Sequence, residues 1–124
     1  MKNIVVSLLF VVLAGCASFP TEQEAAVADY GSYPDSYEQI AKSFYDRILK
    51  DPSSVQYRRI STPKTTWLGN RFTGVRYGYL VCVTLNAKNS YGAYVGFHTD
   101  GFLIRNGSII EYLSKGIWFE RQIC

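Results

Sequence analysis

Val75-Arg76-Tyr77-Gly78-Tyr79-Leu80-Val81-Cys82-Val83-Thr84-Leu85 is the stretch from which the fold can be read. Successive side chains of a strand point to opposite faces. Val75, Tyr77, Tyr79, Val81, Val83 and Leu85 therefore share one face, and Arg76, Gly78, Leu80, Cys82 and Thr84 share the other. A polar turn, Asn86-Ala87-Lys88-Asn89-Ser90, follows. It leads to a partner strand expected over Tyr91 to His98, with Tyr91, Ala93, Val95 and Phe97 on one face. Further on, Phe102–Arg105 and Ser108–Leu113 flank Asn106-Gly107, the dipeptide that best fits a tight hairpin turn. Val55–Ile60 and, after Pro63, Lys64–Leu68 are shorter strand candidates.

A helix is expected ahead of these strands, from Ser36 to Lys50. Tyr37, Ile40, Ala41, Phe44 and Ile48 recur at three- and four-residue steps, and Ser36 with Gln39 fits a capping box. Arg47 and Lys50 suit the negative end of the helix dipole, and Asp51-Pro52 stops it. One helix followed by consecutive hairpins predicts an α+β domain over residues 35–124, the helix packed on an antiparallel sheet of about four or five strands. A small closed β-barrel is the alternative. Ile117, Trp118 and Phe119 are expected to return over the core.

Residues 17–34 (ASFPTEQEAAVADYGSYP) mix small, acidic and turn-forming residues without periodicity, and read as a flexible tether. Before them, Lys2 precedes an apolar run from Ile4 to Leu13 that is half the length needed to span a bilayer, the profile of a secretory signal. Leu13-Ala14-Gly15-Cys16 resembles the lipobox of bacterial lipoproteins. That resemblance implies cleavage after Gly15, a diacylglyceryl thioether on Cys16 and acylation of the new amino group. Residues 1–15 would then be a signal peptide, and the chain would meet the membrane through its N-terminal acyl chains. Ala17, standing where aspartate often marks inner-membrane retention, implies an outer-membrane, periplasm-facing address.

Charge is divided along the chain. Residues 17–51 hold three basic side chains (Lys42, Arg47, Lys50) against seven acidic ones, whereas nine basic residues face three acidic ones from residue 52 onward. An acidic helix beside a basic sheet explains this, and a basic surface that meets an anionic envelope polymer is the sharper reading. No nucleic-acid partner is expected, since the chain has neither a basic run of five nor a nucleic-acid motif. With Cys16 acylated, Cys82 and Cys124 remain as an even pair in an oxidising compartment, which predicts a disulfide, two unpaired thiols being the alternative. Two cysteines and the single His98 lack the spacing of a zinc motif, so neither metal nor cofactor is expected.

Lys50-Asp51-Pro52-Ser53-Ser54 and Asn86-Ala87-Lys88-Asn89-Ser90-Tyr91-Gly92, with Tyr94 and Gly96, resemble stretches of a group of short bacterial envelope proteins, many with lipoprotein signals. The resemblance spans roughly residues 36–113 and implies a domain without implying a reaction. Asn and Ser favour turns through local hydrogen bonds, and Gly92 and Gly96 leave room beside Tyr94, so a structural role accounts for the loop. The functional reading makes Lys88, Asn89, Tyr91 and Tyr94 a candidate binding rim, with one cation and two rings whose hydroxyls remain usable. Tyr91 carries a difficulty, because alternation with Val95 and Phe97 would send its ring into the core. His98 and Asp100 allow a hydrolase triad to be drawn, but no nucleophile elbow or oxyanion hole accompanies them. The expectation is a non-enzymatic module that binds an envelope protein or glycan, with an inhibitor of a hydrolase such as lysozyme as the alternative and a small hydrolase as the third reading.

Overall fold

The structure, a computed structural model, describes residues 18–124. The signal peptide expected over residues 1–15 and the expected attachment site Cys16 lie outside the described residues. The elements are helices α1 (Glu22–Val27) and α2 (Tyr37–Ile48) and strands β1 (Gln56–Ile60), β2 (Lys64–Asn70), β3 (Gly74–Asn86), β4 (His98–Arg105), β5 (Ser108–Leu113), β6 (Ile117–Trp118) and β7 (Arg121–Gln122). The fold is α+β. β3 is long enough to pair with two short strands along one edge, β1 against its C-terminal half and β2 against its N-terminal half, while β4 and β5 continue the antiparallel sheet on the other side. This five-stranded sheet stays open, so the barrel alternative is not the one adopted. No helix among the described residues is long and apolar enough to cross a membrane.

The alternation in β3 sorts its side chains as read. Val81, Val83 and Leu85 meet Phe102 and Ile104 of β4 beneath Ala41 and Tyr45 of α2, with Ile40 and Phe44 at the margin. Burying an aliphatic or aromatic side chain stabilises a fold by roughly 1.5–3 kcal/mol, so this layer is the main reason α2 is a helix at all. Tyr45, four residues after Ala41, is buried, whereas Ile48 turns outward. The capping box expected at Ser36 and Gln39 does not form, because the Ser36 side chain makes no cap bond. It forms instead at the start of α1, where Thr21 Oγ1 accepts from the Glu24 N–H and Glu24 Oε2 accepts from the Thr21 N–H, each at 3.1 Å.

The other face of the sheet has its own smaller core, Leu68, Leu103 and Leu113 with Trp118 and Ile123. Cys82 and Cys124 are joined there as a disulfide with Cα atoms 5.7 Å apart, drawing the chain beyond β7 onto the sheet. Gly101 makes the approach possible, since a Cβ at that position would lie 2.8 Å from Cys124 Sγ. Of the three residues expected to return over the core only Trp118 does so, while Ile117 and Phe119 face solvent.

Residues 18–34, expected as a tether, lie along the sheet. Tyr30 packs edge-on against Tyr77 and Tyr33 against Tyr79 (ring centroids 5.5 and 5.4 Å), Pro34 is buried, and the Ser32 N–H donates to Asn106 Oδ1 at 3.1 Å. The Asn106-Gly107 turn between β4 and β5 has both residues in the left-handed region, φ 49° and 77°, as a two-residue hairpin requires.

A stiff aromatic loop and a buried carboxylate

The partner strand expected over Tyr91–His98 is not formed. β3 pairs with His98–Arg105, and the residues between make an excursion with a single bridge, Lys88 to Tyr94. Gly92 and Gly96 adopt φ of 78° and 102°, which breaks the alternation, and residues 89–97 are all exposed. The difficulty with Tyr91 therefore falls away, for its side chain is 94% exposed.

Local hydrogen bonds hold this loop. Asn89 closes its tip: its Oδ1 accepts from the N–H groups of Tyr91 (2.9 Å) and Ala93 (3.2 Å), and its own N–H donates to the Ala93 carbonyl at 2.8 Å. Asn86 Oδ1 accepts from the Gly96 N–H at 3.0 Å, closing the base. Ser54, in the helical turn Pro52–Ser54, clamps the side. Its Oγ accepts from the Lys88 N–H at 2.9 Å and donates to the Asp51 carbonyl at 2.7 Å. The two motifs singled out in the sequence, Asp51–Ser54 and Asn86–Gly96, are thus one bonded unit. Fully capped polar groups remove the alternatives an exposed loop would otherwise sample.

Cations sit on the rings of the same surface. The Arg58 guanidinium lies 3.7 Å from the Phe97 centroid, and Lys88 Nζ lies 5.5 Å from that of Tyr94. Such stacking holds a guanidinium plane while its N–H edges remain available to an anion. Of the four residues proposed from sequence, Lys88 and Tyr94 lie against one another, and Tyr91 projects into solvent from the same loop. Asn89 lies in the same loop but spends its carboxamide oxygen on the turn. Arg58 and Phe97 were missed; Arg58 belongs to β1, and only pairing of β1 with the end of β3 brings it here.

The structure does bring His98 and Asp100 together, His98 Nε2 lying 3.4 Å from Asp100 Oδ2, but Asp100 is fully buried and already engaged. Its Oδ2 accepts from the hydroxyls of Tyr45 (2.6 Å) and Tyr112 (3.1 Å), and its Oδ1 accepts from the Lys115 N–H at 2.8 Å. Burial, and next the bond to the carboxylate, raise the Tyr45 hydroxyl far above the ordinary tyrosine range. Burial, followed by the Asp100 charge, pushes Tyr112 up to about 12. His98 Nδ1 faces the Gly96 carbonyl at 3.4 Å, so among the described residues neither ring nitrogen is hydrogen-bonded to a serine hydroxyl. The cluster fastens α2, β4, β5 and the turn after β5 to one another. Among the described residues no group of three or more His, Cys, Asp or Glu side chains is set to hold a metal ion.

Comparison of the chain with protein-family models, with curated proteins and with solved structures finds no match.

Proposed function

We propose that this chain is a lipid-anchored envelope lipoprotein of the outer membrane, periplasm-facing, whose domain is a non-enzymatic binding module for an envelope protein or glycan, with the loop from Lys88 to Phe97 as its contact surface. The observation that carries this reading is Tyr91, 94% exposed on a loop whose backbone is capped from three sides. An aromatic ring on a stiff support loses little freedom on binding, and such rings dominate the energetics of interfaces. Lys88 and Arg58 at its rim favour an anionic neighbour, contributing to encounter and selectivity more than to affinity.

The test is recovery of partners from solubilised membranes with the anchored protein and with its Tyr91→Ala variant. A protein or glycan recovered by the first and lost by the second supports the reading, and equal recovery by both removes the loop from it. The stiffness of the loop also suits an inhibitor that fills a hydrolase cleft. Inhibition of lysozyme by the purified protein, abolished by Tyr91→Ala, would favour that second reading.

A further inference from the structure

The strongest unexplained feature of the surface is at the opposite end of β3. The β2–β3 hairpin turns at Arg71-Phe72-Thr73, and Phe72 at its tip is 82% exposed. The tip is nevertheless well made. Asn70 Oδ1 accepts from the N–H groups of Phe72 and Thr73, both at 2.9 Å, so an apolar ring is held outward on a fixed turn.

The N-terminal end of the described chain is fastened to this tip. The Arg71 N–H donates to the Ser18 carbonyl at 2.8 Å, the Arg71 guanidinium reaches both carboxylate oxygens of Glu24 at 2.7 Å, and Phe19 packs on Trp67 with centroids 6.0 Å apart. Two residue steps separate Ser18 from Cys16, and each spans about 3.8 Å between Cα atoms. Cys16 can therefore stand no more than about 8 Å from Ser18.

We infer that the β2–β3 tip rests on the bilayer, Phe72 entering the interfacial zone beside the acyl chains. This rests on the reading of Cys16 as the lipid attachment site. If the acyl chains hold Cys16 at the headgroup level, the short reach carries Ser18 and the hairpin tip with it. Phe72, Phe19 and Trp67 are the side chains suited to that layer, where aromatic rings collect. The Arg71 charge is matched by Glu24, which leaves the ring as the leading group. β3 has 13 residues, which at about 3.3 Å each places its far end roughly 40 Å from the tip. The domain would thus stand on its anchor as a post, with the Lys88–Phe97 loop directed away from the lipid.

The acylated protein, purified from membranes and returned to phosphatidylethanolamine–phosphatidylglycerol vesicles, tests this. A nitroxide at Thr73→Cys and, separately, at Tyr91→Cys would be read by power saturation with oxygen and with a nickel chelate. The expected result is an oxygen-dominated, lipid-exposed label at 73 and a chelate-dominated, aqueous label at 91. Adding Phe72→Asp should turn the label at 73 aqueous without releasing the protein, since the ring is outside the core. An acylated chain whose label at 73 is as aqueous as that at 91 overturns the orientation and leaves the anchor standing. A mass spectrum showing Cys16 unacylated overturns the anchor and the orientation with it.

Discussion

The Tyr94 hydroxyl donates to the Ser54 carbonyl at 3.0 Å, across 40 residues of sequence, while the Ser54 hydroxyl accepts from the Lys88 N–H. The turn that ends the helical segment is thereby the clamp of the exposed loop. Ser54→Ala removes the bond to Lys88 and leaves its N–H unpartnered in a half-buried place, at a cost of about 1–2 kcal/mol. Urea unfolding should show that loss, and hydrogen exchange should quicken at Lys88 and along the loop while β3 and β4 keep their protection.

Tyr91→Ala and Asn89→Ala should weaken partner binding for different reasons. Tyr91 touches little of its own chain, so its variant should keep the wild-type melting temperature. Asn89 holds the tip, so its variant should lose the fixed shape as well as the contact. Lys88→Ala differs from Asn89→Ala in this respect, since the Asn89 carboxamide bonds the backbone of the tip whereas the Lys88 ammonium lies only over the Tyr94 ring. Amide chemical shifts of residues 89–93 separate the cases: they should move widely in Asn89→Ala and only locally in Tyr91→Ala and Lys88→Ala.

Legibility followed burial. The alternation of β3 and the Asn106-Gly107 turn were readable because both are enforced locally and confirmed by a buried face. Tyr91–Phe97 alternates equally well, yet no apolar layer buries it, and two positive-φ glycines bend it out of the sheet. Thr21 and Glu24 form the better capping box, but they stand in a polar stretch where no apolar period draws attention to a helix. The burial of Tyr45 depends on Asp100, 55 residues away, a pairing that no local pattern carries. The Cys82–Cys124 pair followed from counting, whereas the role of Arg58 in the loop required the register of β1.

Removing the carboxylate of Asp100 should cost more than removing either hydroxyl it receives. Asp100→Ala strands the buried Tyr45 hydroxyl together with the donors from Tyr112 and Lys115, a loss of about 3 kcal/mol or more. Tyr45→Phe deletes one bond to a charged group, about 2 kcal/mol. Denaturant unfolding should rank them in that order, and the reverse ranking would mean the carboxylate is not the hub.

The same two tyrosines predict an alkaline limit. Their hydroxyls titrate higher in the folded than in the unfolded chain, near 10 when free. The folded chain therefore holds more protons above that value, and stability falls as pH rises. The contribution of these two groups should be constant below about pH 10 and decline through about 12, where Tyr112 titrates. Tyr112→Phe should flatten part of the decline in melting temperature measured from pH 9 upward.

Reduction should loosen one face of the sheet before the other. The Cys82–Cys124 bond closes a separation of 42 residues, for which chain entropy gives a stabilisation of about 4 kcal/mol. Cys124→Ser should lower stability by up to that amount. It should also speed hydrogen exchange at Trp118 and Ile123, which cover Leu68, Leu103 and Leu113, while the α2 face stays protected. Equal exchange on both faces would show that the two cores unfold as one.

The turn between β6 and β7 offers a stabilising change. Phe119 and Glu120 both lie in the left-handed region, φ 41° and 64°, where a non-glycine residue is disfavoured by about 1–2 kcal/mol. Strands of two residues each give that turn little support, and the disulfide two residues beyond β7 holds the hairpin in place. Glu120→Gly relieves the strain while keeping the edge-on contact of Phe119 with Trp118, centroids 4.9 Å apart. Part of the gain is offset because glycine loses more freedom on folding. A net gain of about 0.5–1 kcal/mol is expected, a rise of several degrees in melting temperature for a domain of this size. In Cys124→Ser the strained turn is free to relax, so the same substitution should there raise the melting temperature by less. A fall in the disulfide-bonded protein would mean that Glu120 makes a contact worth more than the strain.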